Sequence, residues 1–382
     1  MSIKYFLFFI FLQSFLNAEN SKKTVCLNMI VKDEAQVITR CLSSVKPLID
    51  YWVIVDTGST DNTQQIIKEY MQAIPGELHE RPWVNFAHNR NEALILAKSK
   101  ADYILIIDAD EILSFPKDYT LPFLDQDCYY ITTKYNGTEY VRKQLIQSKL
   151  DWIWVGKVHE VLVSSQARTS GNLESVINSV HTDGARAKDP LRFSKDAKLL
   201  EGAVKENPND TRSLYYLAQS YRDAGDIDLA IKNYQKRADL GGWDQEVFWS
   251  LYQIATLQEK LKQPYETVVK SYLKAIAYRP LRIEPMFRLA TYYRNHGDFL
   301  LAYLLAGYAL KMPLSKDTFQ ETWVRDFGLL LEYSTAAFYA GKYEDCLESC
   351  KKLLANPKTP LDTRADIEKN LPFIYAEMNK SS

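Results

Sequence analysis

Tyr103-Ile104-Leu105-Ile106-Ile107-Asp108-Ala109-Asp110-Glu111 is an apolar run that ends on three carboxylates within four positions. Its continuous apolar character predicts a strand buried on both faces, as in the parallel sheets of α/β proteins. Ligands of open α/β sheets sit just beyond the carboxyl ends of the strands, which is where this acidic cluster falls. Hard cations such as Mg²⁺ or Mn²⁺ take oxygen ligands. They use one or two protein carboxylates and fill the other positions with water and substrate phosphates. The stretch therefore points to a metal-assisted enzyme acting on a diphosphate-bearing substrate. A solvated turn closing a strand, where Asp is common, is the bland alternative.

Upstream, Val25–Val31 reads as a strand, residues 35–45 have helical spacing, and Tyr51-Trp52-Val53-Ile54-Val55 is a second buried strand ending at Asp56. The turn Thr57-Gly58-Ser59-Thr60-Asp61-Asn62-Thr63 opens a helix that runs to about Met71, with Gln64 expected as the capping partner of Asp61. A short strand over 77–83 and a helix over 86–98 lead back to the opening stretch. Repeated β-α-β with apolar strands predicts a parallel sheet covered on both faces. After Glu111 the pattern changes to Tyr-, Thr- and Val-rich strands near 129–134 and 140–145, followed by the segment 152–163.

From about Asp189 small residues and turn residues recur. Ala218, Tyr221, Gly225 and Ala230 are echoed by Ala290, Tyr293, Gly297 and Ala302, then more faintly by Ala336, Tyr339 and Gly341. Between the first two copies stand Ala255, Tyr272, Ala275 and Pro280. A period of roughly 34 residues is that of tetratricopeptide repeats, which stack into a curved solenoid. The expected organisation is an α/β, Rossmann-like nucleotide-binding domain at 24–188 and an all-α tetratricopeptide-type domain at 189–382.

Lys+Arg of 47 against Asp+Glu of 48 leaves no electrostatic footprint for nucleic acid. The five cysteines show neither a CxxC pair nor zinc-type spacing with histidine, so buried thiols are expected. Residues 1–18, with Lys4, an apolar run over 5–16 and the small Ala18, read as a signal peptide or an anchor. That reading places the protein in the secretory pathway or at a membrane; a merely amphipathic start would leave it cytoplasmic. The sequons at Asn136 and Asn209 are compatible with a secretory lumen. No later segment is apolar enough to span, so no transmembrane bundle is expected; a homo-oligomer stays open.

Met29-Ile30-Val31-Lys32-Asp33-Glu34, then Val55-Asp56-Thr57-Gly58-Ser59-Thr60-Asp61, then Arg90-Asn91 ahead of Asp108-Ala109-Asp110-Glu111, resembles the inverting GT-A glycosyltransferases of family 2. Trp154-Val155-Gly156-Lys157-Val158-His159-Glu160 followed by repeats is similar to a subgroup fused to tetratricopeptide repeats. The resemblance implies a GT-A domain that transfers a sugar from a nucleotide sugar, UDP-linked first among the candidates, to a protein, peptide or glycan acceptor. It also implies that Asp56 and the turn through Asp61 bind base and ribose, with Glu34 assisting. Asp108 and Asp110 match the family's DxD, which contacts ribose and a metal bridging the diphosphate. Asp33 departs from the subgroup, which usually has Asn there.

The chemistry asks for the same residue types. Negative charge builds on the departing diphosphate, so a Lewis-acid metal, Mn²⁺ or Mg²⁺, is the expected stabiliser. Arg90 is a candidate phosphate contact. An acceptor hydroxyl or thiol needs a base, for which Glu160 is the candidate. His159 and His181 are candidate metal ligands alongside Asp110, although structural histidines would look the same. Trp152, Trp154 and Trp243 are candidates for stacking on sugars or for the core. The rival reading is a noncatalytic repeat scaffold with a vestigial transferase domain.

Overall fold

The computed structural model describes residues 22–135, 138–313, 317 and 320–381. The segment 1–18 and the sequon residue Asn136 lie outside the described residues. Contacts divide the chain into two units, Met1–Glu206 and Asn207–Ser382. The helix at 192–206, which the sequence reading gives to the repeats, is grouped with the first unit.

In the first unit β1 (Val25–Val31), α1 (Ile38–Val45), β2 (Tyr51–Asp56), α2 (Thr63–Met71), β3 (Gly76–Glu80), α3 (Phe86–Ala97) and β4 (Tyr103–Ile106) form the expected β-α-β series. There follow β5 (Glu111–Ser114), β6 (Cys128–Tyr135), β7 (Thr138–Gln147), β8 (Ile153–Val155), β9 (Val161–Val163), β10 (Ser170–Val180), α4 (Ala185–Lys188) and α5 (Arg192–Glu206). The main sheet has eight strands in the order β3-β2-β1-β4-β7-β6-β10-β5. The first four run parallel. Beyond β4, where the sequence pattern also changes, the sheet is mixed, so the parallel arrangement expected from the β-α-β series holds for its first four strands. Among the described residues no helix stands between β4 and β7, and β7 pairs antiparallel with both β4 and β6, whereas β10, reached through the β8–β9 hairpin, lies parallel to β6.

The faces of β1 show why the central strands read as continuous apolar runs. Leu27, Met29 and Val31 pack with Ile38, Leu42, Ile67 and Met71 of α1 and α2. Cys26 points the other way, into a cluster with Leu94 and Ala97 of α3 and Leu162 of β9. Asn28, buried on that side, donates to the Ala93 carbonyl at 2.9 Å, so its burial costs no unpaired group. β1 pairs with β2 on one side and β4 on the other, and the chain departs in opposite directions from that point. Such a switch opens a crevice at the strands' carboxyl ends.

The second unit begins with α6 (Thr211–Ala224), α7 (Ile227–Asp239), α8 (Asp244–Lys260), α9 (Tyr265–Tyr278), α10 (Glu284–Asn295) and α11 (Phe299–Leu310). It continues with a π-helical turn (Val324–Gly328), α12 (Leu329–Tyr339), α13 (Tyr343–Ala355) and α14 (Leu361–Ser381). Ala218, Ala230, Ala255, Ala275, Ala290, Ala302 and Ala336 are fully buried, as helix crossings require. Gly225, Gly297 and Gly341 end α6, α10 and α12 at positive φ, and the residue after each closes the turn, as Asp226 N does on Tyr221 O at 2.8 Å. At the same place after α8 stands Lys262, φ 52°, with Gln263 N on Gln258 O. That repeat makes the same turn with a lysine in place of the glycine. All five cysteines are free and buried. Among the described residues no helix is long and apolar enough to cross a membrane.

Candidate active site at the carboxyl ends of the central strands

Two loops leave the sheet side by side, after β1 and after β2, and their side chains stitch them together. Asp56 is fully buried, and its Oδ1 accepts from the N–H groups of Gly58 and Ser59, both at 2.8 Å. Its Oδ2 is buried without a partner. Asp33, at φ 55°, accepts from Thr60 N at 2.6 Å, while Ser59 Oγ accepts from Asp33 N at 2.9 Å. The residue that departs from the subgroup's pattern is thus a brace between the loops. Glu34 N donates to Thr63 Oγ1 at 2.8 Å. Asp61 is occupied inside the turn, accepting from Thr63 N at 2.9 Å and Ala35 N at 3.1 Å. The helix cap expected from Asp61 and Gln64 is absent: α2 starts after Asn62 with no side-chain cap.

The acidic turn after β4 is held from both sides. Arg90, on α3, donates through Nη2 to Asp108 at 2.7 Å and through Nε to Glu160 at 2.6 Å, and its side chain is only 12% exposed. Arg90 therefore holds two of the candidate acids rather than presenting the open fork expected for phosphate. Asn91 fixes the β8–β9 hairpin that carries Glu160: its amide donates to Trp154 O at 3.0 Å and accepts from Trp154 N at 2.8 Å. Trp154 lies under the Arg90 guanidinium and Trp152 is buried, so both serve packing. Below the turn, Glu111 is 2% exposed and ion-paired with Arg142, and it accepts from Asn178 Nδ2 at 3.0 Å and Asp108 N at 3.3 Å. The third carboxylate of the motif shapes the turn.

A returning segment after β10 closes the other side. His181 N donates to Asp110 O at 3.2 Å, and Asp183 forms a two-pronged ion pair with Arg40. Ala185 N lies 3.3 Å from both Glu34 oxygens. A Cβ at Gly184 would stand 3.0 Å from Asp110 Oδ2 and 3.1 Å from Glu34 Oε2, so glycine leaves room for the two carboxylates to converge. Sequence reasoning missed Arg40, Arg142, Asn178, Gly184 and Arg186. None carries a local motif, and each reaches the turn only through the sheet order.

Burial, against the Ala185 N–H and aided by Asp110 and Asp108, pushes Glu34 up to about 7. Burial, then Asp108 and Glu111, pushes Asp110 up to about 6. Asp108 differs: burial raises it, but Arg90, with Arg142 and Arg186, overrides burial and holds it below the ordinary range. For Glu34 and Asp110 the native state binds more protons than the unfolded chain between about pH 4 and those folded values. Their contribution to stability is full below about pH 4 and is lost as the pH rises through 6 and 7. In EDTA, the melting temperature of wild type relative to Glu34→Gln should fall between about pH 5 and about pH 8. Mn²⁺ should flatten the trend; a gap independent of pH contradicts this electrostatic reading.

Two crowded, proton-hungry carboxylates fit a divalent cation that takes one or two protein oxygens and completes its shell with phosphate and water. The fuller ligand set of Asp110, His159 and His181 is not assembled: among the described residues no three His, Cys, Asp or Glu form a group able to hold a metal. His159 is exposed at φ 54° in the hairpin turn, and His181 meets Asp110 through the backbone.

Residues 26–136 match the family described as Glycosyl transferase family 2. A TPR repeat-containing protein of Synechococcus elongatus is 40% identical over 100 residues, 26% of this chain and 23% of that protein. The SPbeta prophage-derived glycosyltransferase SunS of Bacillus subtilis is 25% identical over 237 residues, 56% of this chain and 55% of that one. A crystal structure of a MamA protein superposes with a TM-score of 0.36 at 16% identity, over 43% of this chain and 82% of that chain. The chain thus spans between 23% and 55% of the length of these curated relatives.

Proposed function

We propose, from a glycosyl transferase family 2 domain at residues 26–136, that this chain moves a sugar from a nucleotide sugar to an acceptor with inversion at the transferred carbon. The observation that carries the reading is the convergence of Glu34 and Asp110 of the acidic turn on Gly184. At the end of β2 the second carboxylate oxygen of Asp56, Oδ2, is left without a partner. That oxygen can accept an N–H from the donor's base, with UDP the first candidate. A divalent cation on Asp110, with Asp108 beside it, would neutralise charge growing on the leaving diphosphate. Glu160, fixed by Arg90, takes the proton of the acceptor hydroxyl or thiol as that atom bonds to the sugar carbon and the carbon–oxygen bond to the diphosphate breaks. A single displacement inverts the carbon. The helical unit is suited to gripping a protein, peptide or glycan acceptor, since stacked helical hairpins present an extended surface.

The test is nucleoside diphosphate release by the full chain from UDP-, GDP- and other nucleotide sugars with Mn²⁺, Mg²⁺ or EDTA. Metal-dependent release from one donor is expected. No release together with no metal-dependent nucleotide binding would leave the repeat scaffold as the better reading.

A further inference from the structure

Among the described residues four arginines surround the acidic turn, and three are committed. Arg40 gives both terminal nitrogens to Asp183, Arg90 is shared by Asp108 and Glu160, and Arg142 is paired with buried Glu111 beneath the turn. Arg186 differs. It follows directly on Gly184 and Ala185, which touch Asp110 and Glu34, and its side chain is 46% exposed. One nitrogen donates to the nearly buried Asp196 at 2.5 Å, and the guanidinium lies 4.6 Å from the centre of the Phe86 ring. Phe86 and Arg90 are four residues apart on α3 and share a helix face. The ring that seats Arg186 thus belongs to the helix that carries the Asp108 partner Arg90, and the charge of Arg186 is felt at Asp108. A planar cation anchored at one nitrogen and laid on an aromatic face keeps its remaining donors in a fixed fork. Such a fork, at the rim of a site crowded with carboxylates, suits a polyanion that brings its own cation.

We propose that Arg186 contacts the diphosphate of the donor and stabilises it as it leaves, an inference that rests on the transferase reading above. Phe86 and Asp196 position it. As the carbon–oxygen bond breaks, negative charge shifts onto the phosphate nearest the sugar, where guanidinium donors are worth most.

Calorimetric titration of the full chain with UDP, UMP and uridine, and with GDP, GMP and guanosine, in Mn²⁺ tests this. Arg186→Gln should weaken the diphosphate by about 10- to 100-fold while changing the monophosphate and nucleoside little, the signature of a lost charge-assisted contact. Arg186→Lys should recover part of the loss, and Phe86→Leu, which keeps the charge but frees its plane, should show a smaller one. Unchanged diphosphate binding in Arg186→Gln overturns the proposal. So does an equal loss for diphosphate and nucleoside, which would mark a structural role. Should the wild type bind no nucleoside diphosphate at all, the donor reading itself falls, an outcome distinct from failure of Arg186.

Discussion

Asp110→Asn should lower metal-dependent release of nucleoside diphosphate about 1,000-fold, roughly 4 kcal/mol at 1.36 kcal/mol per decade, while leaving the protein no less stable. The two effects have one cause. Asp110 sits among Asp108, Glu111 and Asp183, and burial, then this crowding, pushes its carboxyl up to about 6. Such a carboxylate is unfavourable for the empty fold at neutral pH and becomes favourable when a cation and a diphosphate arrive. An amide of the same shape removes the repulsion and with it the charge that the cation needs. The melting temperature in EDTA at about pH 8 should therefore equal or exceed that of wild type, since the repulsion lost is the term that grows with pH. Steady-state release and thermal melting on the same preparation check both. A variant that melts lower and keeps its activity would show that Asp110 is structural.

Arg90→Leu should have the largest effect on stability. Its guanidinium is the shared partner of Asp108 and Glu160, with Arg90 12% and Glu160 10% exposed. Removing one member of a buried ionic group leaves the others unpaired, at about 3–5 kcal/mol. The lower end applies because Asp108 is 36% exposed and keeps some water. A loss of about 3 kcal/mol corresponds to a fall of roughly 10 °C for a unit of this size. Combining Arg90→Leu with Glu160→Gln should restore part of the loss, because one of the stranded charges is gone. Denaturant or thermal unfolding of the single and double variants measures this. A change within about 1 kcal/mol in the single variant would mean that water already screens the pair. Activity should also fall, since Glu160 would lose the contact that fixes it.

Several features of the site were legible one residue at a time. The apolar run into Asp108 and Asp110, the strand ending at Asp56 and the glycine turn after it stand where they were expected, because period and turn chemistry are local. Asp61 and Arg90 illustrate the limit. Both have the right type and place for ligand contacts, yet Asp61 is taken up by Thr63 and Ala35, and Arg90 by two acids. Glu111 could be read only as one more carboxylate, since its partners Arg142 and Asn178 lie on β7 and β10.

By itself the sequence determined the β-α-β order of the first half, the crevice position of its acids and the repeat character of the second half. These follow from backbone and side-chain preferences acting over a few residues. The tertiary structure alone decided that the sheet becomes mixed beyond β4, that Arg90 binds Asp108 to Glu160, and that Gly184 lets Glu34 and Asp110 meet. The physical reason is that charges and packing act through space. Partners separated by 151 residues, as Glu34 and Ala185 are, leave no periodic trace along the chain.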